Sequence, residues 1–203
     1  MNLLLSMLFG YLLGSLSPSY LISKIKHADL RQQGTGNLGA TNTMLVLGKC
    51  YGVLVMLFDI SKSVLALKLA AHFVSPIAGT VAGAMAVVGH IFPFYLRFKG
   101  GKGLAAFGGF VLASDPLVFV ILLFVAVVLM LIFNYGVAMP ITGTVLFPII
   151  MAVKSHSPTQ VAVVVGVSLL VAIKHAGNLD RAVRGEDIKV REYIKNNLLK
   201  KKP

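Results

Sequence analysis

The run LVFVILLFVAVVLMLIF, Leu117 to Phe133, holds no charged, amide or hydroxyl side chain. It reaches the lower end of the length an α-helix needs to cross hydrocarbon. Other apolar runs, broken by proline, glycine and charge, predict further spans at Leu3–Ile25, Gly52–Phe73, Pro76–Phe92, Leu104–Ala113, Val137–Val153 and Thr159–His175. The 203-residue chain is 57% hydrophobic and only 13% charged, with a mean hydropathy of +0.84. A soluble domain carries about 25% charged residues, so this is read as an all-α, polytopic integral membrane protein of about seven transmembrane helices. The third and fourth spans are short, and Gly100–Gly103 is placed to cap a half-buried helix. One cysteine, Cys50, excludes an internal disulfide framework. Residues before Lys24 carry no side-chain charge, so the first span lacks the basic start of a cleavable signal peptide and is expected to be a retained helix.

Lysine and arginine set the orientation. Lys26, Arg31, Lys49, Arg97, Lys99, Lys102 and the tail residues Arg181, Arg184, Lys189, Arg191, Lys195 and Lys200–Lys202 fall on one side, whereas the opposite loops carry only Lys154. The N-terminus is therefore expected outside, and the C-terminus inside the cell membrane. A transmembrane body is set at residues 1–177 and a basic cytoplasmic tail at 178–203. Within the tail, Asp187–Leu199 places Ile188, Val190, Tyr193, Ile194 and Leu198 loosely on one face, as in an interfacial helix; a solvated tail fits equally. The net charge of +12 suits a rim beside anionic lipid and needs no nucleic-acid partner.

Two glycine tracts interrupt the apolar pattern on the basic side: Gly34-Thr35-Gly36-Asn37-Leu38-Gly39-Ala40-Thr41-Asn42 and Phe98-Lys99-Gly100-Gly101-Lys102-Gly103. Irregular backbone at membrane depth survives only where protein buries it or water lines it. Glycine permits close approach to a ligand, and successive free N–H groups form an anion-binding nest. The first tract completes a G-x-G-x-x-G pattern with no strand before it, which rules out a dinucleotide fold. The second is not a phosphate-binding P-loop, because Leu96 stands where that motif's first glycine belongs and Gly103 replaces its hydroxyl residue. No nucleophile elbow occurs, and His27, His72, His90, His156 and His175 are scattered, so neither metal nor cofactor is expected. The polar set left on this face is Thr35, Asn37, Thr41, Asn42, Lys102, His175, Asn178, Arg181 and the pair Glu186-Asp187. A plainer reading gives Gly39 and Gly103 to helix packing and His175 with Asn178 to a C-terminal cap.

Gly14-Ser15 with Pro18 and Tyr20, then GTGNLGATN, Asp59 with Lys62, GHxFPxxLxFKGGKG (residues 89–103) and HxxNxxR…GxD (residues 175–187) follow one another in this order. The whole series resembles the acyl-phosphate:glycerol-3-phosphate acyltransferase family, PlsY. The resemblance implies a seven-helix enzyme that moves an acyl chain from acyl phosphate to the 1-hydroxyl of glycerol 3-phosphate, giving lysophosphatidic acid and phosphate. By the same resemblance Thr35, Lys102, His175 and Asn178 are catalytic. Gly34, Gly36, Asn37, Gly39, Thr41, Asn42, Gly100, Gly101 and Gly103 bind substrate phosphate, and Asp59, Lys62, His90 and Asp187 give structural support. An acyl phosphate is already activated, so direct attack by the substrate hydroxyl needs no covalent enzyme intermediate.

The chain departs from that pattern at several positions. Thr35 replaces a serine, Leu45 an arginine, Ala106 a threonine and Asp187 a glutamate, and Asn134-Tyr135-Gly136-Val137 stands where Arg-Tyr-Val-Ser is usual. The missing arginine implies reduced activity. A relative that binds lipid phosphates without turnover is one alternative. Another is a transporter of a phosphorylated metabolite, suggested by Asp59, Lys62 and Lys68 within a span. Asp59 and Lys62 lie i, i+3 and can pair locally, and no internal repeat supports transport.

Overall fold

Ser17-Pro18 divides the first apolar segment. In the computed structural model, which describes residues 2–154 and 157–197, α1 spans Leu3–Ser15 and α2 spans Pro18–Ile25. Pro18 occupies the first turn of α2, where a missing N–H costs nothing, and the Ser17 hydroxyl caps the Tyr20 amide. The Tyr95 hydroxyl stitches the break, accepting from the Ser17 amide at 3.1 Å and donating to the Ser15 carbonyl at 2.8 Å.

The remaining helices are α3 (Ala40–Leu47), α4 (Lys49–Phe73), α5 (Pro76–Ile91), α6 (Leu104–Ser114), α7 (Pro116–Phe133), α8 (Ala138–Val153), α9 (Pro158–Val183) and α10 (Val190–Asn197). A 3-10 turn at Phe94–Leu96 joins α5 to the second glycine tract. Prolines open α5, α7 and α9, each behind a side-chain cap from Ser75, Asp115 or Ser157. Among the described residues, four segments have both the length and the apolarity to cross a membrane: Leu3–Ile25, Pro76–Leu96, Pro116–Phe133 and Pro158–Val183. α4 has 25 residues but carries Asp59, Lys62 and Lys68. α6 and α8 are shorter, at 11 and 16 residues. The protein is thus all-helical and multi-pass.

α5 is the central helix and packs against α1, α4, α6 and α9. α1 approaches it backbone to backbone: Gly10 and Gly14, four residues apart, face Ala82 and Ala86. Hydrocarbon supplies no hydrophobic drive for helices to associate, so small residues that let backbones touch are what hold such a seam. A second core lies between α5, α6, α8 and α9, centred on Phe107, Phe110 and Phe147 with ring centroids 5.9–6.3 Å apart.

Several boundaries differ from those read in the sequence. α4 starts at Lys49 rather than Gly52, because Gly48 at φ 99° ends α3 and lets the next helix begin at once. α9 runs unbroken past His175 to Val183, across the 177/178 boundary set between body and tail. The plainer alternative that made His175 and Asn178 a C-terminal cap falls accordingly, since both sit inside the helix. In the tail, α10 is described as far as Asn197; Leu198 and Lys200–Lys202, like His156, lie outside the described residues, as do the side chains of Tyr193 and Ile194.

Candidate active site

Asn42 organises the first glycine tract. Its side chain is fully buried; Nδ2 donates to the Leu30 and Gln33 carbonyls at 2.8 and 3.1 Å, and Oδ1 accepts the Thr35 amide at 2.6 Å. Gly34 and Gly36 take left-handed φ of 60° and 69°, which carry a strain for any larger residue. A side chain at Gly34 would also collide with the Asn42 carboxamide oxygen. With no exposed surface and every polar atom of its side chain engaged, Asn42 shapes the loop that holds the other residues expected to bind phosphate. Beside it, the Thr43 hydroxyl donates to the Gly39 carbonyl at 3.0 Å.

The second tract folds back onto the end of α5. Gly100 and Gly101 donate their amides to the Ile91 and His90 carbonyls at 3.0 and 3.1 Å, satisfying acceptors that a helix end leaves open. Arg31 ties the two tracts together, one guanidinium nitrogen reaching the Lys99 carbonyl at 3.1 Å and the Leu96 carbonyl at 3.4 Å. Gly101 meets the first tract directly: a Cβ there would lie 2.8 Å from the Leu38 carbonyl oxygen.

These contacts narrow the expected amide nest. The amides of Thr35, Gly36, Gly100 and Gly101 all have protein acceptors. Helix geometry also leaves the first-turn amides of α3, behind Gly39, and of α6, behind Gly103, without intrahelical partners or a side-chain cap. Each such end carries the positive pole of a helix dipole and suits an anion. Thr35 and Thr41 are exposed, and Asn37 is half-buried with Nδ2 beneath Gly39.

Lys102 lies just before α6, its ammonium donating to Oδ1 of Asn178 on α9. Partial burial pushes its pKa below that of an ordinary lysine, and nearby Arg181 adds to the shift while Asp187 opposes it. One turn before Asn178, the His175 ring is buried, with Nδ1 2.8 Å from the Val171 carbonyl. A carbonyl only accepts, so Nδ1 carries the proton and a neutral ring keeps a lone pair on Nε2. Asp187 pairs with Arg181 at 3.8 Å. Below this layer Lys62 and Asp59, both about 1% exposed, pair at 2.8 Å, and His90 Nδ1 lies 2.9 Å from Lys62 Nζ.

Some departures acquire a structural meaning. Leu45 is 38% exposed and shares the outer face of α3 with Thr41, one turn away. Asn134 clasps the tail: Oδ1 accepts the Arg191 amide at 2.9 Å, its carbonyl accepts the Val190 amide at 3.0 Å, and the Arg191 guanidinium reaches the Leu131 carbonyl. Ala106 is buried in the core of α6. The contacts made by Arg31, Tyr95 and Thr43 escaped the reading of the sequence, which took Arg31 only as one of the basic residues. A lone arginine in a basic loop carries no signal beyond its charge.

Fold and site together define a multi-pass membrane protein that packs two glycine tracts together beside a lysine, a histidine and an asparagine, a donor set suited to anionic substrates. The chain belongs to the glycerol-3-phosphate acyltransferase family, whose model matches residues 4–185. It is 36% identical over 190 residues to the glycerol-3-phosphate acyltransferase of Geobacillus kaustophilus, covering 92% of this chain and 95% of that one. A Staphylococcus aureus glycerol-3-phosphate acyltransferase is 33% identical over 201 residues, covering 94% and 99%. The crystal structure of PlsY (YgiH), an integral membrane glycerol 3-phosphate acyltransferase, in its glycerol 3-phosphate form superposes with a TM-score of 0.86 at 32% identity, over 92% of this chain and 94% of that one. Its lysophosphatidic acid form gives 0.85 at 30% identity, over 95% and 98%. The resemblance noted in the motifs thus holds over nearly the whole chain, and the protein is a PlsY-like glycerol-3-phosphate acyltransferase of the membrane.

Proposed function

We propose that the protein transfers a fatty acyl group from acyl phosphate to the 1-hydroxyl of glycerol 3-phosphate at the cytoplasmic face of the cell membrane. The observation that carries this reading is that the first glycine tract meets the second at Leu38 and Gly101, and that Lys102, next in the chain and just before α6, bonds Asn178 on α9. Both substrates bear phosphate, so the reaction needs two anion sites within bonding reach of each other, and two helix starts supply them. Lys102, steered by Asn178, neutralises one phosphate, while Thr35, Asn37 and Thr41 surround the other. The glycerol hydroxyl attacks the acyl carbon, the acyl–phosphate C–O bond breaks, and the hydroxyl proton leaves on the departing phosphate. His175 orients glycerol 3-phosphate by accepting from its second hydroxyl at Nε2, leaving the proton of the attacking hydroxyl free for the phosphate. Positioning and charge stabilisation supply the rate, and the lipid chain stays among the helices.

In this reading the chain crosses the bilayer seven times, with α4, α6 and α8 added to the four strongly apolar segments. The N-terminus lies outside, and the basic tail lies inside against anionic lipid. Glycerol 3-phosphate carrying a radiolabel, palmitoyl phosphate and purified protein in detergent test the chemistry. Labelled lysophosphatidic acid should form with acyl phosphate and not with acyl-CoA. Its absence with acyl phosphate overturns the proposed donor.

A further inference from the structure

Lys62 has three ammonium hydrogens and three polar atoms around them. Asp59 Oδ1 lies at 2.8 Å, His90 Nδ1 at 2.9 Å, and the Leu16 carbonyl, freed by the break between α1 and α2, at 3.0 Å. Nδ1 of His90 lies 3.1 Å from the same Asp59 oxygen as well, so whether it accepts from Lys62 or donates to Asp59 the pair holds this edge of the ring and leaves Nε2 facing away from it. Nε2 occupies the space into which a side chain at position 101 would point. The Gly101 amide in turn donates to the His90 carbonyl at 3.1 Å. Residue 90 therefore meets Gly101 with both its backbone and its ring, immediately before Lys102. Asp59 lies about 15 Å along α4 from its start at Lys49, at the usual rise of about 1.5 Å per residue. An ion pair at such depth gains little stability over an apolar replacement, whereas breaking it is costly.

We propose that His90, locked by Lys62 and Asp59, is a positioning residue for acyl transfer: its Nε2 edge sets the height of Gly101 and thereby aims Lys102 at the substrate phosphate. The Lys62–Asp59 pair holds the ring in one orientation. The link to Leu16 anchors this support to the first helix break. This assignment rests on the proposed role of Lys102.

His90→Asn and His90→Gln separate positioning from mere packing. Asparagine still offers Lys62 an acceptor near Nδ1 and leaves a gap beneath Gly101; glutamine reaches the Nε2 position. His90→Asn should keep a melting temperature near that of the parent while kcat/KM for glycerol 3-phosphate falls about 10- to 100-fold, the scale of an ångström-level misplacement. His90→Gln should recover much of that loss. The paired change Asp59→Asn with Lys62→Met removes both charges, and should lower kcat/KM while the protein still folds. Parental kinetics in His90→Asn, equal losses in both His90 variants, or failure of His90→Gln to fold would each overturn the proposal, the last by making the triad purely architectural. Lys102→Ala is the control. If it leaves the glycerol 3-phosphate dependence unchanged, the site reading fails first, independently of His90.

Discussion

The Lys102 ammonium donates to the carboxamide of Asn178, joining the second glycine tract to the last turns of α9. This bond crosses the site between two segments far apart in sequence, and it leaves an ammonium with two further donors for an anion.

Titration of Lys102 gives the first expectation. Burial lowers its pKa, so it loses its charge at lower pH than a free lysine. A bound phosphate favours the charged form and therefore binds less tightly as pH rises through that lowered value. KM for glycerol 3-phosphate should climb on the alkaline side before about pH 10.4, the ordinary lysine value. In Lys102→Arg the climb should vanish, since guanidinium stays protonated. A pH-independent KM in the parent would refute the assignment. For folding the sign is opposite: the unfolded chain binds this proton more strongly, so the lysine's unfavourable contribution is relieved as pH rises through its folded value.

Leu45→Arg tests the position where the family carries arginine. Hydrogen bonds to charged groups are each worth about 1.5–3 kcal/mol, or about 10- to 150-fold in rate. Turnover of the variant should rise by a factor within that range with little change in substrate KM, as a transition-state contact requires. Arg31 is a poor substitute from its present place, because one nitrogen holds the Leu96 and Lys99 carbonyls. Unchanged turnover in Leu45→Arg, together with lost activity in Lys49→Ala, would show that the charge has moved.

Asn42→Ala should unfold the first tract. It strands the Leu30 and Gln33 carbonyls and the Thr35 amide, and each unsatisfied buried group costs about 1–3 kcal/mol. A substantial fall in melting temperature with lost activity is expected; Thr35→Ala, whose side chain is exposed, should leave stability within about 0.5 kcal/mol. Equal effects on stability from the two changes would contradict the buried role of Asn42.

Orientation is checked with cysteines placed singly after removal of Cys50. Cysteine at Thr35 or Asn178 should resist a membrane-impermeant thiol reagent in intact cells, and one at Ser157 should react. External labelling at Thr35 would invert the proposed topology.

Much of the architecture was legible in the sequence because apolar runs and their proline starts are local signals. Leu117–Phe133 and Pro76–Phe92 correspond closely to α7 and α5. The glycine tracts and motif order pointed to the family, which the relatives show. What stayed hidden depended on long-range contact. Nothing near Asn42 announces that its amide faces Leu30 and Gln33 rather than a ligand. Nothing near Arg31 reveals that it bonds carbonyls some 65 positions away. The break at Ser17-Pro18 was visible as a proline, yet its partner Tyr95 lies on another helix's exit.

The Gly10–Gly14 seam on α5 makes the tolerance of this protein to mutation run opposite to that of a water-soluble core. A greasier side chain there gains nothing from leaving lipid and must push the backbones of Ala82 and Ala86 away. α7, of whose 18-residue stretch only 17% is buried, can exchange one aliphatic residue for another almost freely. In this molecule sequence drift should therefore collect on the most hydrophobic helix and spare the seam built from the smallest side chains.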